Sequence, residues 1–163
     1  MRQTSSGFTL VELVITVAIL VILAGLTIPA YSRVLDHARV TRAVGDINAV
    51  TKEVAVFQSG HGCLPPSLTA LGRTDLLDPW GRAYQLVVPA PSAPGNACSA
   101  CNGLCAVPGA ARIDAASVRL NLDYDVFSTG KDGMSAASIS SAISQDDVVR
   151  GRTGGFIGRA STY

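Results

Sequence analysis

Charge is scarce in this 163-residue chain. Charged residues make up 15%, and 13 basic against 12 acidic side chains leave a formal net charge of +1. No strong electrostatic partner is implied, and nucleic acid is not expected as one. Aromatics amount to 6%, with a single tryptophan, Trp80, which points to a small core and much loop. There are two histidines, His37 and His61. The pattern contains no phosphate-binding glycine loop and no Ser, His and Asp set. A structural subunit is therefore expected rather than an enzyme. The length suits one compact domain plus a membrane helix.

What the chain does have is a long apolar run. Phe8 to Ala30 spans 23 residues and holds one charged side chain, Glu12. As a helix rising ~1.5 Å per residue it is ~35 Å long, enough for a bilayer core of ~30 Å. A secretory leader has an apolar core of only ~7–15 residues, and a plain anchor leaves Glu12 unexplained. A carboxylate at the bilayer centre costs ~2.5–3.5 kcal/mol on insertion scales, and intramembrane charges usually have a partner. The partner expected here is a positive group on a neighbouring copy of the chain. Arg2 and the starting amine precede the run, which favours leaving that end in the cytoplasm. Everything past Pro29 then lies on the far side, where disulfides are permitted.

The leader ending in Gly7, the stretch Phe8-Thr9-Leu10-Val11-Glu12-Leu13 and the apolar run broken by Pro29 resemble the signal of type IV pilins and pseudopilins. The resemblance implies that a prepilin peptidase cuts between Gly7 and Phe8 and methylates the new amino terminus on Phe8. It makes Glu12 the fifth residue of the mature chain, the family's assembly glutamate. It gives Pro29 the place of the helix-kinking proline.

Past Pro29 the helical pattern continues. Tyr31, Val34, Leu35, Ala38, Val44, Ile47, Val50, Val54 and Phe57 recur mostly three or four apart, an amphipathic stripe. The expectation is one helix from Phe8 to about Gln58, bent or locally melted near Gly25 and Pro29, and ended by Gly60 and Gly62. Residues 1–7 are then a leader, 8–30 a membrane or filament-core helix, 31–58 its amphipathic half and 59–163 a globular head. In the head, Ser67 is placed to cap a short turn through Leu71. Asp78-Pro79-Trp80-Gly81 reads as a turn, with Trp80 covering the core. Strands are expected at Tyr84–Val88, Ser117–Leu122 and Tyr124–Ser128, the last two separate or one bent strand. Ile139 and Ile143 suggest a short helix, and 148–163 either returns to the head as an edge strand or frays, with no firm reading between the two. The fold class is α+β: a long N-terminal helix packed on a small antiparallel sheet.

Asp78-Pro79-Trp80-Gly81-Arg82-Ala83-Tyr84, following Leu64-Pro65, resembles a segment of the major pseudopilin of type II secretion systems, with Ala83 where that family usually has proline. Tyr124 to Gly133 resembles the segment leading into that family's calcium loop. The resemblance implies a calcium ion held by the Thr129 carbonyl, by Asp132 in the glycine turn and by the acidic pair Asp146 and Asp147. Calcium takes six to eight oxygens, carboxylates mixed with carbonyls, and adjacent aspartates repel unless solvated or bridged by a cation. The competing reading is that Asp132 caps a turn and the pair is solvated. Within the loop 129–148, the span Met134 to Gln145 is longer than the resemblance leads one to expect.

Four cysteines remain: Cys63, and Cys98, Cys101 and Cys105 in the Pro-, Ala- and Gly-rich loop 89–108. Two disulfides are expected, in any of three pairings. Each would stabilise the head by ~3–4 kcal/mol in the chain-entropy model if its loop is tens of residues long. A four-cysteine zinc site is weak, because Cys63 has no second cysteine near it. A redox Cys-x-x-Cys lacks its βαβ setting.

The resemblance implies a subunit of a periplasmic pseudopilus in type II secretion, anchored by one pass in the inner membrane with its head in the periplasm. Its partners would be copies of itself, other pseudopilins, the inner-membrane assembly platform, the prepilin peptidase and, before assembly, lipid. The alternatives are a type IV pilus pilin, or a membrane-tethered metal or redox module built on the cysteines.

Overall fold

The structure, a computed structural model, describes residues 7–89 and 108–163, apart from the side chains at 26, 27, 29, 30, 89, 108 and 109. It divides into two compact units, Met1–Ala38 and Arg39–Tyr163. One helix, α1, runs Leu10–His61. It passes Gly25 and Pro29 as a single element and ends three residues later than expected. The terminator is Gly62, at φ +74°, whose N–H bonds the Gln58 carbonyl at 2.8 Å. Glycine reaches this left-handed conformation without a Cβ penalty.

Within the second unit, α1 buries Ala43, Ile47, Val50 and Val54, spaced four, three and four residues apart as one helix face requires. The stripe is thus narrower than the sequence suggests: Tyr31 and Val34 are 63% and 65% exposed, and Ala43 rather than Val44 is the buried member. That face packs on a sheet of five strands in the order β2-β1-β3-β4-β5. The strands are β1 Gln85–Pro89, β2 Pro108–Gly109, β3 Asp125–Ser128, β4 Val148–Gly151 and β5 Phe156–Arg159. Four of them form an antiparallel ladder, and the short β2 adds parallel to β1. The expected α+β class, a long helix with a small antiparallel sheet, is borne out.

The two central strands, β3 and β4, are buried along their whole length. Val126 and Val148 join α1, Tyr84 and Tyr124 in one cluster. Phe127 and Val149, one residue on, join Leu120, Ile139 and Ala160 in a second. This is the period of two acting on a sheet covered on both faces. β4 was not legible for the same reason, since a strand covered on both faces shows no apolar–polar alternation. Residues 148–163 are therefore integral to the sheet, not a fraying tail.

The expected strand Ser117–Leu122 is corrected. Val118 and Leu122 are 59% and 83% exposed, while Asn121 is buried with Leu120. The segment instead makes a tight reversal. Ile113 bridges Arg119, Asp114 Oδ1 accepts the N–H groups of Ala116 and Val118, and Ser117 turns at φ +61°. The Ser67 cap is also corrected: a 3₁₀ turn does follow at Leu68–Leu71, but the serine side chain makes no capping bond. The short helix near Ile143 is a 3₁₀ turn at Ala142–Ser144, with Ile139 outside it in the core.

Candidate functional site

At the start of α1, Thr9 and Glu12 bond reciprocally. The Thr9 N–H and Oγ1 donate to Glu12 Oε2 at 3.1 and 2.8 Å, and the Glu12 N–H donates to Thr9 Oγ1 at 3.3 Å. This is a capping box, in which a Thr and a Glu three residues on satisfy each other's free backbone donors. Sequence reasoning missed it, although the Thr-x-x-Glu spacing at the head of an apolar run is its local signal. Gly7 and Phe8 lie exposed just before it. Every large apolar side chain described from Phe8 to Tyr31 is more than half exposed. Solvated greasy surface of this extent marks an interaction face. Among the described residues no helix is long and apolar enough to cross a membrane; the expected span 8–30 includes side chains outside that set.

The second place is the loop after β3, braced by the Asp78-Pro79-Trp80-Gly81 turn. Gly81 closes that turn at φ +86°, its N–H bonding the Asp78 carbonyl at 2.9 Å. Asp78 Oδ1 accepts the Trp80 and Arg82 N–H groups at 3.0 and 2.8 Å, and its Oδ2 accepts the Ser128 hydroxyl at 2.5 Å. The turn is so tied to the end of β3. Its next residue, Arg82, then reaches the loop: Nη1 donates to the Gly130 and Lys131 carbonyls at 2.7 and 3.1 Å.

The sequence-derived quartet can now be placed. The Thr129 carbonyl accepts the Gly133 N–H at 3.2 Å. Asp132 Oδ1 accepts the Met134 N–H at 2.7 Å, the turn-capping role. Asp146 Oδ2 accepts the Lys131 and Asp132 N–H groups at 2.6 and 2.9 Å. Asp147 is fully buried, and its Oδ2 accepts Arg112 Nη2 at 2.5 Å and the Ser135 hydroxyl at 2.6 Å. Burial pushes the Asp147 carboxyl pKa up, against the pull of Ser135 and Arg112. Its Oδ1 is buried without a hydrogen-bond partner. Among the described residues no three acidic, His or Cys side chains are grouped to hold a metal. As arranged, one oxygen of each of the four residues accepts from a protein donor and the Asp147 carboxylate is already paired with the Arg112 cation, which does not suit a calcium cage; the buried Asp147 Oδ1 is left unmatched.

Two arginines that sequence reasoning missed organise this region. Arg112 lies 4.1 Å over the Phe127 ring and gives its backbone N–H to Asp125 Oδ2 at 2.9 Å. Arg150, in β4, binds Asp123 through Nη1 and Nη2 at 2.9 and 2.8 Å and lies 4.0 Å over Tyr124. Burial opposes ionisation of Asp123, but the Arg150 and Tyr124 hydrogen bonds outweigh it and hold the carboxyl below its ordinary value. Asn121 completes the network, donating to Asp125 Oδ1 and to the Arg150 carbonyl at 2.7 and 2.8 Å. No local pattern marks these residues, because their partners lie up to 35 positions away.

Cys63 is disulfide-bonded, which leaves it no thiolate for a metal. Cys98, Cys101 and Cys105 lie outside the described residues, so the pairing does too.

Comparison with known proteins adds the following. Residues 2–28 match the prokaryotic N-terminal methylation motif. The type II secretion system core protein G of Pseudomonas aeruginosa is 32% identical over 114 residues, covering 57% of this chain and 80% of that protein. The core protein G of Dickeya chrysanthemi is 28% identical over 110 residues, covering 55% and 72%. A fimbrial protein of Neisseria meningitidis is 33% identical over 87 residues, covering 53% and 51%. These names describe secretion-system and fimbrial proteins rather than enzymes. No solved structure matches. With 32% identity across 80% of a core protein G and the methylation motif at its start, this chain belongs to the pilin-like family that carries this motif and includes those core proteins G and the type IV pilins.

Proposed function

We propose that the chain is the major subunit of a type II secretion pseudopilus. The observation that carries the choice within the family is coverage: the match spans 80% of a core protein G but 51% of the meningococcal fimbrial protein. In this reading the precursor sits in the inner membrane with its head in the periplasm. The prepilin peptidase cuts between Gly7 and Phe8, and Phe8 becomes the methylated first residue. Glu12 of an incoming subunit gives up its Thr9 partner and pairs with the amino terminus of a neighbouring copy. Two charges ~4 Å apart attract by ~4 kcal/mol at an effective dielectric of ~20, before desolvation is subtracted. The exposed apolar residues from Phe8 to Tyr31 supply most of the packing, since burying each such side chain contributes ~1.5–3 kcal/mol. Other pseudopilins and the assembly platform are the remaining partners, and the disulfide at Cys63 suits the periplasm.

Mass spectrometry of the mature amino terminus tests the processing, with methylated Phe8 expected and an intact Met1 refuting it. Glu12→Ala should leave cleavage intact and stop assembly; normal filaments from that variant would refute the pairing. Deleting the gene separates the two branches. Loss of folded proteins from the medium supports secretion, and loss of surface fibres with secretion intact supports the pilus reading.

A further inference from the structure

We propose that Arg112 and Arg82 hold the loop 129–148 closed in the place a divalent cation would occupy, so that this head folds independently of calcium. The loop presents a cluster of negative oxygens: the Gly130 and Lys131 carbonyls and the carboxylates of Asp146 and Asp147. Each of these groups meets a donor from the chain itself, while Asp147 Oδ1 is left buried without one. Arg82 bridges the two carbonyls. Arg112 reaches Asp147 and Ser135, with Nη1 donating to Ser135 Oγ at 2.6 Å. The Lys131 and Asp132 amides take Asp146 between them.

Both guanidiniums are built in. The Arg112 side chain is 4% exposed, sandwiched between the Phe127 ring and the carboxylate. A planar fork stacked on an aromatic face is the geometry arginine offers and a lysine does not. Arg82 fills the turn so closely that a Cβ on Gly133 would fall 2.3 Å from its Nε. A Cβ on Gly130 would fall 2.5 Å from the Asp146 carbonyl oxygen. Both glycines sit at positive φ, +64° and +76°, so the turn is closed over Arg82 and Asp146 with little space left. A dication bound to Asp147 would face the Arg112 charge across a single carboxylate, in an interior where like charges repel strongly. Removing a guanidinium would leave Asp147 buried and unpaired, which is strongly destabilising.

The proposal concerns the fold of the loop and stands whether or not the subunit polymerises. Its test is thermal unfolding of the mature full-length protein in mild detergent, followed by Trp80 fluorescence, with ~1 mM free calcium or with excess chelator. That concentration saturates or half-saturates a typical extracellular site. Expected are coincident unfolding temperatures for the unaltered protein, and for Arg112→Gln a drop of ~10 °C in both buffers. A rise with calcium in the unaltered protein would overturn the proposal, as would an Arg112→Gln protein as stable as the parent. If Arg112→Gln does not fold, Arg82→Gln provides the second arm. A lower unfolding temperature in both buffers supports the proposal, and an unchanged one overturns it.

Discussion

Replacing Asp78 by alanine tests how the head is held together where the Asp-Pro-Trp-Gly turn meets β3. Asp78 is 4% exposed. Its carboxylate accepts two backbone N–H groups within its own turn and the Ser128 hydroxyl fifty residues on. Hydrogen bonds to a charged group contribute ~1.5–3 kcal/mol each, and their losses are not additive. Trp80 and Arg82 are only half-buried, so water can satisfy part of what the alanine leaves. The expected loss is therefore ~3–4 kcal/mol. For a unit spanning Arg39–Tyr163, each kcal/mol shifts the midpoint by ~3–5 °C, or ~9–20 °C in all. Asp78→Asn keeps an acceptor for the two amides and can donate to Ser128 Oγ, so it should lose only ~1 kcal/mol. The assay is thermal unfolding of the mature protein in mild detergent, read by Trp80 fluorescence and by circular dichroism. An Asp78→Ala protein melting within ~2 °C of the parent, or an Asp78→Asn protein as impaired as Asp78→Ala, would refute the reasoning.

Two further perturbations probe other parts of the head. Ile47 is fully buried on the α1 face, so Ile47→Ala should cost ~2–5 kcal/mol, whereas Val118→Ala, at 59% exposure, should stay within ~0.5 kcal/mol. Equal urea midpoints for the two would contradict the packing of α1 on the sheet. Arg73 hydrogen-bonds Glu53 through Nε and Nη2 and thereby holds the glutamate below its ordinary value of 4.5. A depressed carboxyl pKa stabilises the fold above that ordinary value, and the stabilisation is lost as pH falls through the folded one. The stability lead of the parent over Arg73→Met should therefore shrink as the pH is lowered below about 4.5. A lead that is constant across pH would count against the pair.

Much was decided before any tertiary contact formed. The apolar run from Phe8, its lone Glu12, the amphipathic continuation and the glycine stop at Gly62 are all local. A helix of this kind is specified by residues within a turn or two of each other. The Asp78 turn and the strands at 85–89 and 125–128 belong with it, carried by turn chemistry and by short apolar runs. The capping box of Thr9 and Glu12 was equally local and equally readable.

The tertiary structure alone decided which polar residues go inside. Asp125, Asn121, Arg112 and Arg150 carry no local signal along the chain, yet all are at least 96% buried. They are buried because strands far apart in sequence bring donors and acceptors within reach, and a charge can leave water only once its partner is in place. β4 followed the same logic, a strand hidden on both faces whose pattern becomes intelligible only when α1 lies on one side and Leu120, Ile139 and Ala160 on the other. The acids of the loop after β3 were visible in sequence; that arginines should meet two of its oxygen clusters depends on contacts 35 to 49 residues long, which no local pattern encodes.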